Sequence, residues 1–169
     1  MTVPATIRLV RAGEGALLRE LRLRAIRDAP HAFFFPPETE AALPARYWED
    51  WAGGDDPDHD RAMFVAVAVG GEWLGMAGCV VRADGSGTLD ATGMWVAPDA
   101  RGQNLGERLV DEIVAWGRGR GAVRMEFAVT ETNEVAITLY RRLGFVPTGR
   151  RRALESNPEL TGMFMARPL

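Results

Sequence analysis

The sequence contains no lysine, and all 20 of its basic residues are arginine. A phosphate-binding loop ending in Gly-Lys and a Schiff-base lysine are therefore both excluded, and with them Walker-type NTPase and pyridoxal-phosphate chemistry. Serine is also scarce, because Ser86 and Ser156 are the only two. Neither lies in a Gly-x-Ser-x-Gly motif, so the nucleophile elbow of the serine hydrolases has no candidate.

Cysteine and histidine are too few for a disulfide framework or a histidine-rich metal cage. Cys79 is the only cysteine, and His31 and His59 are the only histidines. We expect Cys79 to be a buried small hydrophobe inside a strand, and we expect no metal site. The acidic loop 53–60 has no EF-hand spacing and is interpreted as solvated. This inventory suits a reducing cytosol, and no export signal or long apolar run is present, so we expect a cytoplasmic protein.

Length and charge limit the organisation and the partners. The chain has 169 residues, which predicts one domain over residues 1–169. Its net charge of -3 provides no basic field for nucleic acid or anionic lipid, so neither is expected as a partner. Arginines 118, 120, 124, 141 and 142 form a local cluster that is interpreted as a solvated face; the alternative is a site for an adenosine 3′-phosphate.

The spacing of apolar residues predicts an α+β fold with a mixed sheet. Tight turns between the second, third and fourth strands indicate an antiparallel meander, and the helix after the fourth strand indicates a right-handed parallel βαβ crossover. Three phenylalanines, Phe33 to Phe35, are expected to plug the bottom of the core; the alternative is that some line a substrate pocket. The predicted strands are 6–10, 62–69, 73–82, 88–96, 123–129, 145–152 and 160–166, and the predicted helices are 15–28, 45–51, 105 to between 117 and 121, and 133–142.

One turn has the features of an anion site. The fourth strand stops at Pro98, and the turn Arg101-Gly102-Gln103-Asn104-Leu105-Gly106 then opens a helix. Such a turn presents unpaired backbone N–H groups and the positive end of the helix dipole to one point. A purely structural turn is the alternative interpretation. The dinucleotide fingerprint is absent, because no glycine stands at position 104.

Two motifs in order resemble the GNAT superfamily of N-acetyltransferases. The first resembles its acyl-coenzyme A loop and the second, 27 residues after Gly106, resembles the helix that contacts pantetheine and the leaving group. The resemblance implies a mostly antiparallel twisted sheet with a central parallel βαβ crossover and flanking helices, and acetyl-CoA as the acyl donor. The two motifs read Val96-x-Pro98-x-x-Arg101-Gly102-x-x-Leu105-Gly106-x-x-Leu109 and Asn133-x-x-Ala136-x-x-Leu139-Tyr140-x-x-x-Gly144-Phe145.

The resemblance also implies residue roles. Tyr140 is the general acid for the departing thiolate, or else a helix aromatic that only packs; Asn133 contacts the cofactor arm, or else only caps its helix. Asn104 replaces the family's central glycine, and asparagine is the non-glycine residue best able to adopt a left-handed conformation. Arg101 would bind the phosphate either with its side-chain charge or with its backbone N–H. The cofactor-binding residues implied are Met94, Trp95, Val96, Arg101, Gly102, Gln103, Asn104, Leu105, Gly106, Asn133 and Tyr140.

The catalytic base is less sharply indicated. Asp90 matches the position where some family members carry a glutamate base, and alternation predicts that Asp90, Thr92, Met94 and Val96 share one face of their strand. Asp90 would act directly or through a water. The competitors are Glu126, Glu38 and Glu40. No protein nucleophile is indicated, so we expect the amine to attack directly in a ternary complex.

The predicted function is transfer of an acetyl group from acetyl-CoA to a primary amine of a small molecule, peptide or protein. The alternative is a non-catalytic acyl-CoA-binding or sensor domain of the same fold. The acceptor is expected between the first helix, loop 33–40 and hairpin 152–159, where Glu38, Glu40 and Glu155 would suit a cationic amine. The resemblance also implies a homodimer through the C-terminal edge of the sheet.

Overall fold

The computed structural model describes residues 4–54 and 56–169. Asp55 of the acidic loop and the first three residues of the predicted domain lie outside the described residues. The strands are β1 (Ala5–Leu9), β2 (Arg61–Ala68), β3 (Trp73–Val81), β4 (Thr88–Val96), β5 (Arg124–Thr130), β6 (Val146–Ala153) and β7 (Thr161–Pro168). The helices are α1 (Gly15–Asp28), α2 (Pro37–Ala41), α3 (Ala45–Glu49), α4 (Leu105–Gly119) and α5 (Glu134–Arg142).

The seven strands form one mixed sheet in the order β1-β2-β3-β4-β5-β7-β6. Every neighbouring pair is antiparallel except β4 and β5, which run parallel on either side of the α4 crossover. These two strands pair only from Thr88 and Arg124 to Asp90 and Glu126. Beyond that point they diverge, and a cleft opens between them. The predicted α+β fold with its mixed sheet is confirmed.

The core lies on both faces of this sheet. On one face, α1 and α3 bury Leu18, Leu21 and Trp48 against the strands. On the other face, α4 and α5 bury their apolar sides, including Leu109 and Ile113, against the strands. Cys79 of β3 is fully buried, and burial raises the pKa of its thiol to about 12, which confirms its structural role.

A β-bulge interrupts β4. Gly78 pairs with Thr92 but Met76 pairs with Trp95, so β4 carries one extra residue here, and Gly93 has a φ of 66°. A bulge reverses the side-chain alternation of its strand. Asp90 and Thr92 therefore point to the α1 side of the sheet, together with Trp95, whereas Met94 and Val96 pack on the α4 side. The prediction that Asp90 and Thr92 share a face with Met94 and Val96 was wrong for this reason.

The segment between α1 and α3 differs from its prediction in two ways. It contains α2, which sequence spacing missed because the helix has only five residues and begins next to two prolines. Of the three phenylalanines, Phe33 is buried, but Phe35 is 41% exposed and lies outside the core. Ser156 holds the segment in place through two hydrogen bonds. Its backbone N–H donates to the Phe34 carbonyl at 2.8 Å, and its hydroxyl donates to the Phe33 carbonyl at 2.7 Å.

Arg120 of the arginine cluster is engaged by several protein groups rather than left to solvent. The Arg120 guanidinium donates to the backbone carbonyls of Gly54, Asp56, Pro57 and His59 and lies over the ring of Trp116. It thereby fastens the acidic loop to α4. In the part of the chain that the structure describes, none of the helices has both the length and the hydropathy to span a membrane.

Candidate active site

The cleft where β4 and β5 diverge has a volume of about 970 Å³. This is at the upper end of the ~300–1,000 Å³ range of small-molecule sites. The end of β4, including Met94, Trp95 and Val96, forms one wall, and α5 forms the other. The turn that opens α4 closes one end. The cleft therefore joins both sequence motifs into a single site.

The turn before α4 has the geometry of an anion site. Asn104 has φ 59° and ψ 14°, which makes it the only non-glycine residue with a positive φ among the described residues. The first α-helical bond runs from Arg108 N–H to the Asn104 carbonyl at 3.0 Å. The N–H groups of Leu105, Gly106 and Glu107 consequently have no partner within the helix. The residues Leu105, Gly106 and Glu107 line the cleft together with Asn104 and Gly102.

Gly106 lets α4 and α5 approach each other. A Cβ at this position would lie 3.3 Å from Leu139 Cδ2 of α5, tighter than ordinary packing. Asn133 begins α5 as its N-cap, with Oδ1 accepting from Ala136 N–H at 3.2 Å. Asn133 therefore caps its helix, but it also lines the cleft, so its contact with the cofactor arm stays a prediction.

The side chains of Arg101 and Gln103 are both engaged by other parts of the protein. Arg101 donates from Nε to the Val96 carbonyl at 2.9 Å and from Nη2 to Asp28 at the end of α1. Gln103 donates to the Asp99 carbonyl at 3.3 Å and does not line the cleft. Hydrogen bonds from Trp95 and Arg101 hold the pKa of Asp28 below its usual range.

Tyr140 lies on the cleft wall formed by α5. Its ring packs on Phe127 of β5 with ring centroids 3.8 Å apart, and the residue is 6% exposed. Burial raises the pKa of its phenol above the ordinary value, so the hydroxyl stays protonated. No described residue hydrogen-bonds this hydroxyl, which leaves its proton available to a group in the cleft.

A charged cluster lies where β4 and β5 stop pairing. Arg82 donates from Nε to Asp90 Oδ2 at 3.0 Å and from Nη2 to its other oxygen. The neighbouring carboxylate of Glu126 is 4% exposed and is paired with Arg82, Arg124 and Arg150. Neither carboxylate lines the cleft. Asp90 therefore lies next to the cleft, but its carboxylate does not face a group bound there.

The acidic residues proposed for a cationic acceptor are not equivalent. Glu38 and Glu155 are exposed, but Glu40 is buried at 3% exposure. Arg22 of α1 neutralises Glu40 with an Nη2–Oε1 distance of 2.7 Å. Glu40 is consequently not a surface carboxylate, contrary to its sequence interpretation. Arg142 of the arginine cluster and Glu107 both line the cleft and pair with each other at 3.0 Å.

Sequence reasoning missed three residues that shape the site: Asp28, Arg22 and Gly93. Asp28 hydrogen-bonds Arg101, which is 73 residues away in sequence, and Arg22 hydrogen-bonds Glu40, which is 18 residues away. A local sequence pattern does not reveal contacts of this kind. Gly93 carried a usable signal, because an isolated glycine inside a strand pattern suggests a bulge.

Comparison with known proteins agrees with this geometry. The sequence matches the model of the Acetyltransferase (GNAT) family over residues 23–145, well over half of the chain. The chain belongs to the GNAT family. The match covers both motifs and the whole β4-α4-β5 crossover.

This GNAT protein has relatives with assigned substrates. It is 32% identical to the streptothricin acetyltransferase of Streptomyces lavendulae over 159 residues, covering 92% of this chain and 78% of the relative. It is 30% identical over 96 residues to an aminoglycoside N(6′)-acetyltransferase type 1 of Klebsiella aerogenes, covering 54% of this chain and 63% of the relative. Among solved structures, a GCN5-related N-acetyltransferase from Kribbella flavida superimposes with a TM-score of 0.76 at 25% identity over 98% of both chains.

Proposed function

We propose that residues 1–169 form one N-acetyltransferase domain that moves the acetyl group of acetyl-CoA to a primary amine in a ternary complex. One observation carries the proposal: a single cleft joins the free amides at the start of α4 to the unpaired hydroxyl of Tyr140. A diphosphate fits the first end and a thioester the second. The buried thiol of Cys79 suits a cytoplasmic protein.

The donor fits the residues that line the cleft. The N–H groups of Leu105, Gly106 and Glu107 face the diphosphate, and Asn104, in its left-handed conformation, begins their helix. Gly106 keeps α4 and α5 close together beside it. The bulge at Gly93 disrupts the β4 ladder opposite Ala77, which frees strand backbone at the wall where the thioester would lie.

The reaction proceeds by direct attack on the thioester. The neutral amine nitrogen forms a bond to the acetyl carbon, the carbon–sulfur bond breaks, and the nitrogen gives up a proton. Tyr140 transfers its phenolic proton to the departing thiolate, and water restores that proton later. No acyl-enzyme forms, because Cys79 is fully buried and Ser86 has no hydrogen-bonded base, its hydroxyl donating to Thr88.

We assign deprotonation of the acceptor to Asp90 acting through water. Asp90 lies on the α1 side at the last position where β4 pairs with β5, directly before the cleft opens. Its carboxylate is held by Arg82 and does not line the cleft, so a water must carry the proton to it. Glu126 is a weaker candidate, since three arginines occupy its buried oxygens.

The acceptor is a small cationic amine. The named substrates of the two relatives, streptothricin and an aminoglycoside, support this class over a protein amine. The acceptor reaches the thioester from the α1 side, between segment 33–40 and hairpin 152–159. Exposed Glu38 and Glu155 lie on these two elements and attract a cation.

The alternative is a non-catalytic acyl-CoA-binding domain, and one experiment separates the two. Streptothricin, aminoglycosides, polyamines, amino acids and basic peptides are each incubated with enzyme and acetyl-CoA while release of free thiol is followed. Turnover with at least one small amine supports the enzyme. Tight acetyl-CoA binding by calorimetry without turnover of any amine supports the binding domain.

A further inference from the structure

Arg22 of α1 holds its guanidinium against the bulge of β4. A Cβ on Gly93 would lie 2.7 Å from Arg22 Nη1, so only glycine leaves room for this contact. Gly93 lines the cleft three residues beyond Asp90, where β4 and β5 have stopped pairing. Arg22 is not itself among the residues that line the cleft; its guanidinium lies against Gly93 on the α1 side of the sheet, the side from which the acceptor is proposed to approach.

The guanidinium is fixed in this position. It donates from Nη2 and Nε to the two oxygens of Glu40, at 2.7 and 3.3 Å. It also lies over the ring of Phe33, 4.4 Å from the ring centroid. The Phe33 carbonyl is in turn held by the hydroxyl of Ser156. A group held this way loses little conformational entropy when it binds a ligand.

One nitrogen of this guanidinium remains available. Both bonds to Glu40 use Nε and Nη2, and Nη1 donates to no described residue. The buried side-chain nitrogens without a partner, among the residues that the structure describes, are Trp48 Nε1 and Arg167 Nε. Arg22 Nη1 is not one of them, and the Arg22 side chain keeps 14% of its surface exposed.

The ion pair is difficult to explain by stability alone. The side chains of Arg22 and Glu40 are 14% and 5% exposed, so both charges have lost most of their water. Replacing such a pair by apolar residues of similar volume is often neutral or stabilising. The pair instead holds the Arg22 guanidinium, a charged hydrogen-bond donor, against the bulge at Gly93, on the face of the sheet opposite α4 and α5.

We propose that Arg22 determines acceptor specificity by donating from Nη1 to a carbonyl oxygen beside the reactive amine. This inference rests on the proposed function, because it concerns the acceptor of that same site. An amine that carries an adjacent amide is then preferred over a plain alkyl diamine.

The test compares two amines that differ by one carboxamide, L-lysinamide and cadaverine. We expect the wild type to use lysinamide with a kcat/KM roughly ten- to hundredfold higher, the effect of one hydrogen bond to a charged group. The double variant Arg22→Met with Glu40→Met removes both charges together, so no buried charge is left unpaired. Its preference for lysinamide should fall by roughly ten- to hundredfold relative to the wild type. Any preference that comes from the lower basicity of an amine beside a carboxamide is a property of the substrates and stays in both proteins.

Arg19→Met is the matched control, because Arg19 lies one turn earlier on α1 and donates only to the Ala41 carbonyl. It should keep the wild-type preference. A double variant that is active and keeps the preference overturns the inference. So does a wild type that acetylates other amines but uses lysinamide no better than cadaverine, a result that needs no variant to fold. Absence of turnover with every amine would instead reject the proposed function.

Discussion

Arg101 reaches back from the turn before α4 to hydrogen-bond Asp28 at the C-terminal end of α1. This contact joins α1, on the side proposed for the acceptor, to the turn proposed to bind the diphosphate of the donor. Trp95 of β4 donates to the same carboxylate at 2.8 Å, so three elements meet at Asp28. The Arg101 side chain is thus committed to the fold, which favours a backbone role for this residue in donor binding.

Arg101→Met should weaken folding more than donor binding. Both partners are partly exposed, so we expect a loss of about 1 kcal/mol in the free energy of unfolding. The dissociation constant of acetyl-CoA, measured by calorimetry, should change by less than about threefold. A rise of more than tenfold would show that the guanidinium binds the phosphate directly.

The carboxylate of Asp28 should make stability depend on pH. Hydrogen bonds from Trp95 and then Arg101 lower its pKa in the folded state. Its stabilising effect is therefore fully present above the unfolded value of about 3.9 and is lost as the pH falls through the lower folded value. Urea denaturation at several pH values should show a shallower acid loss for Asp28→Asn than for the wild type. Equal slopes would contradict this role.

Asn104→Gly should keep or tighten acetyl-CoA binding. Asn104 already adopts the left-handed conformation that glycine enters without strain, and removing its side chain gives a diphosphate more room. The matched variant Asn104→Ala should lower the free energy of unfolding by about 1 kcal/mol, because alanine is strained at this φ. Calorimetry with both variants checks the pair, and abolished binding in Asn104→Gly would refute the account of this turn.

Tyr140→Phe should lower kcat by roughly a hundredfold, since it removes only the proton donor. The ring keeps its packing on Phe127 and Phe145, so the melting temperature and the KM for acetyl-CoA should stay near those of the wild type. Burial raises the pKa of the phenol, so wild-type kcat should not lose its acid on the alkaline side below pH ~10. A variant with unchanged kcat would leave Tyr140 a packing role only.

Asp90→Asn and Glu126→Gln form a matched pair for the base. Both residues share Arg82, so both changes disturb the same cluster, but only Asp90 is proposed to accept the proton. The acid limb of the kcat/KM pH profile should disappear in Asp90→Asn, with at least a tenfold lower plateau, and persist in Glu126→Gln. The reverse result would transfer the role to Glu126.

Periodic segments were predictable from sequence, and contacts between distant segments were not. The bounds of α1 and of β4 agree with their predictions because each has a clear apolar period and a terminating Pro30 or Pro98. Simple alternation assumes a regular strand and placed Met94 on the same face as Asp90. The bulge at Gly93 moves Met94 to the opposite face of the sheet. The pairing of Arg22 with Glu40 depends on how α1 and α2 pack, which sequence spacing does not encode.

The decisive measurement is a crystal structure of the protein bound to acetyl-CoA. We expect the diphosphate on the N–H groups of Leu105, Gly106 and Glu107, and the sulfur within about 3.5 Å of the Tyr140 hydroxyl, at hydrogen-bond reach. A cofactor bound outside the cleft between β4 and β5, or a phenol turned away from the sulfur, would contradict it.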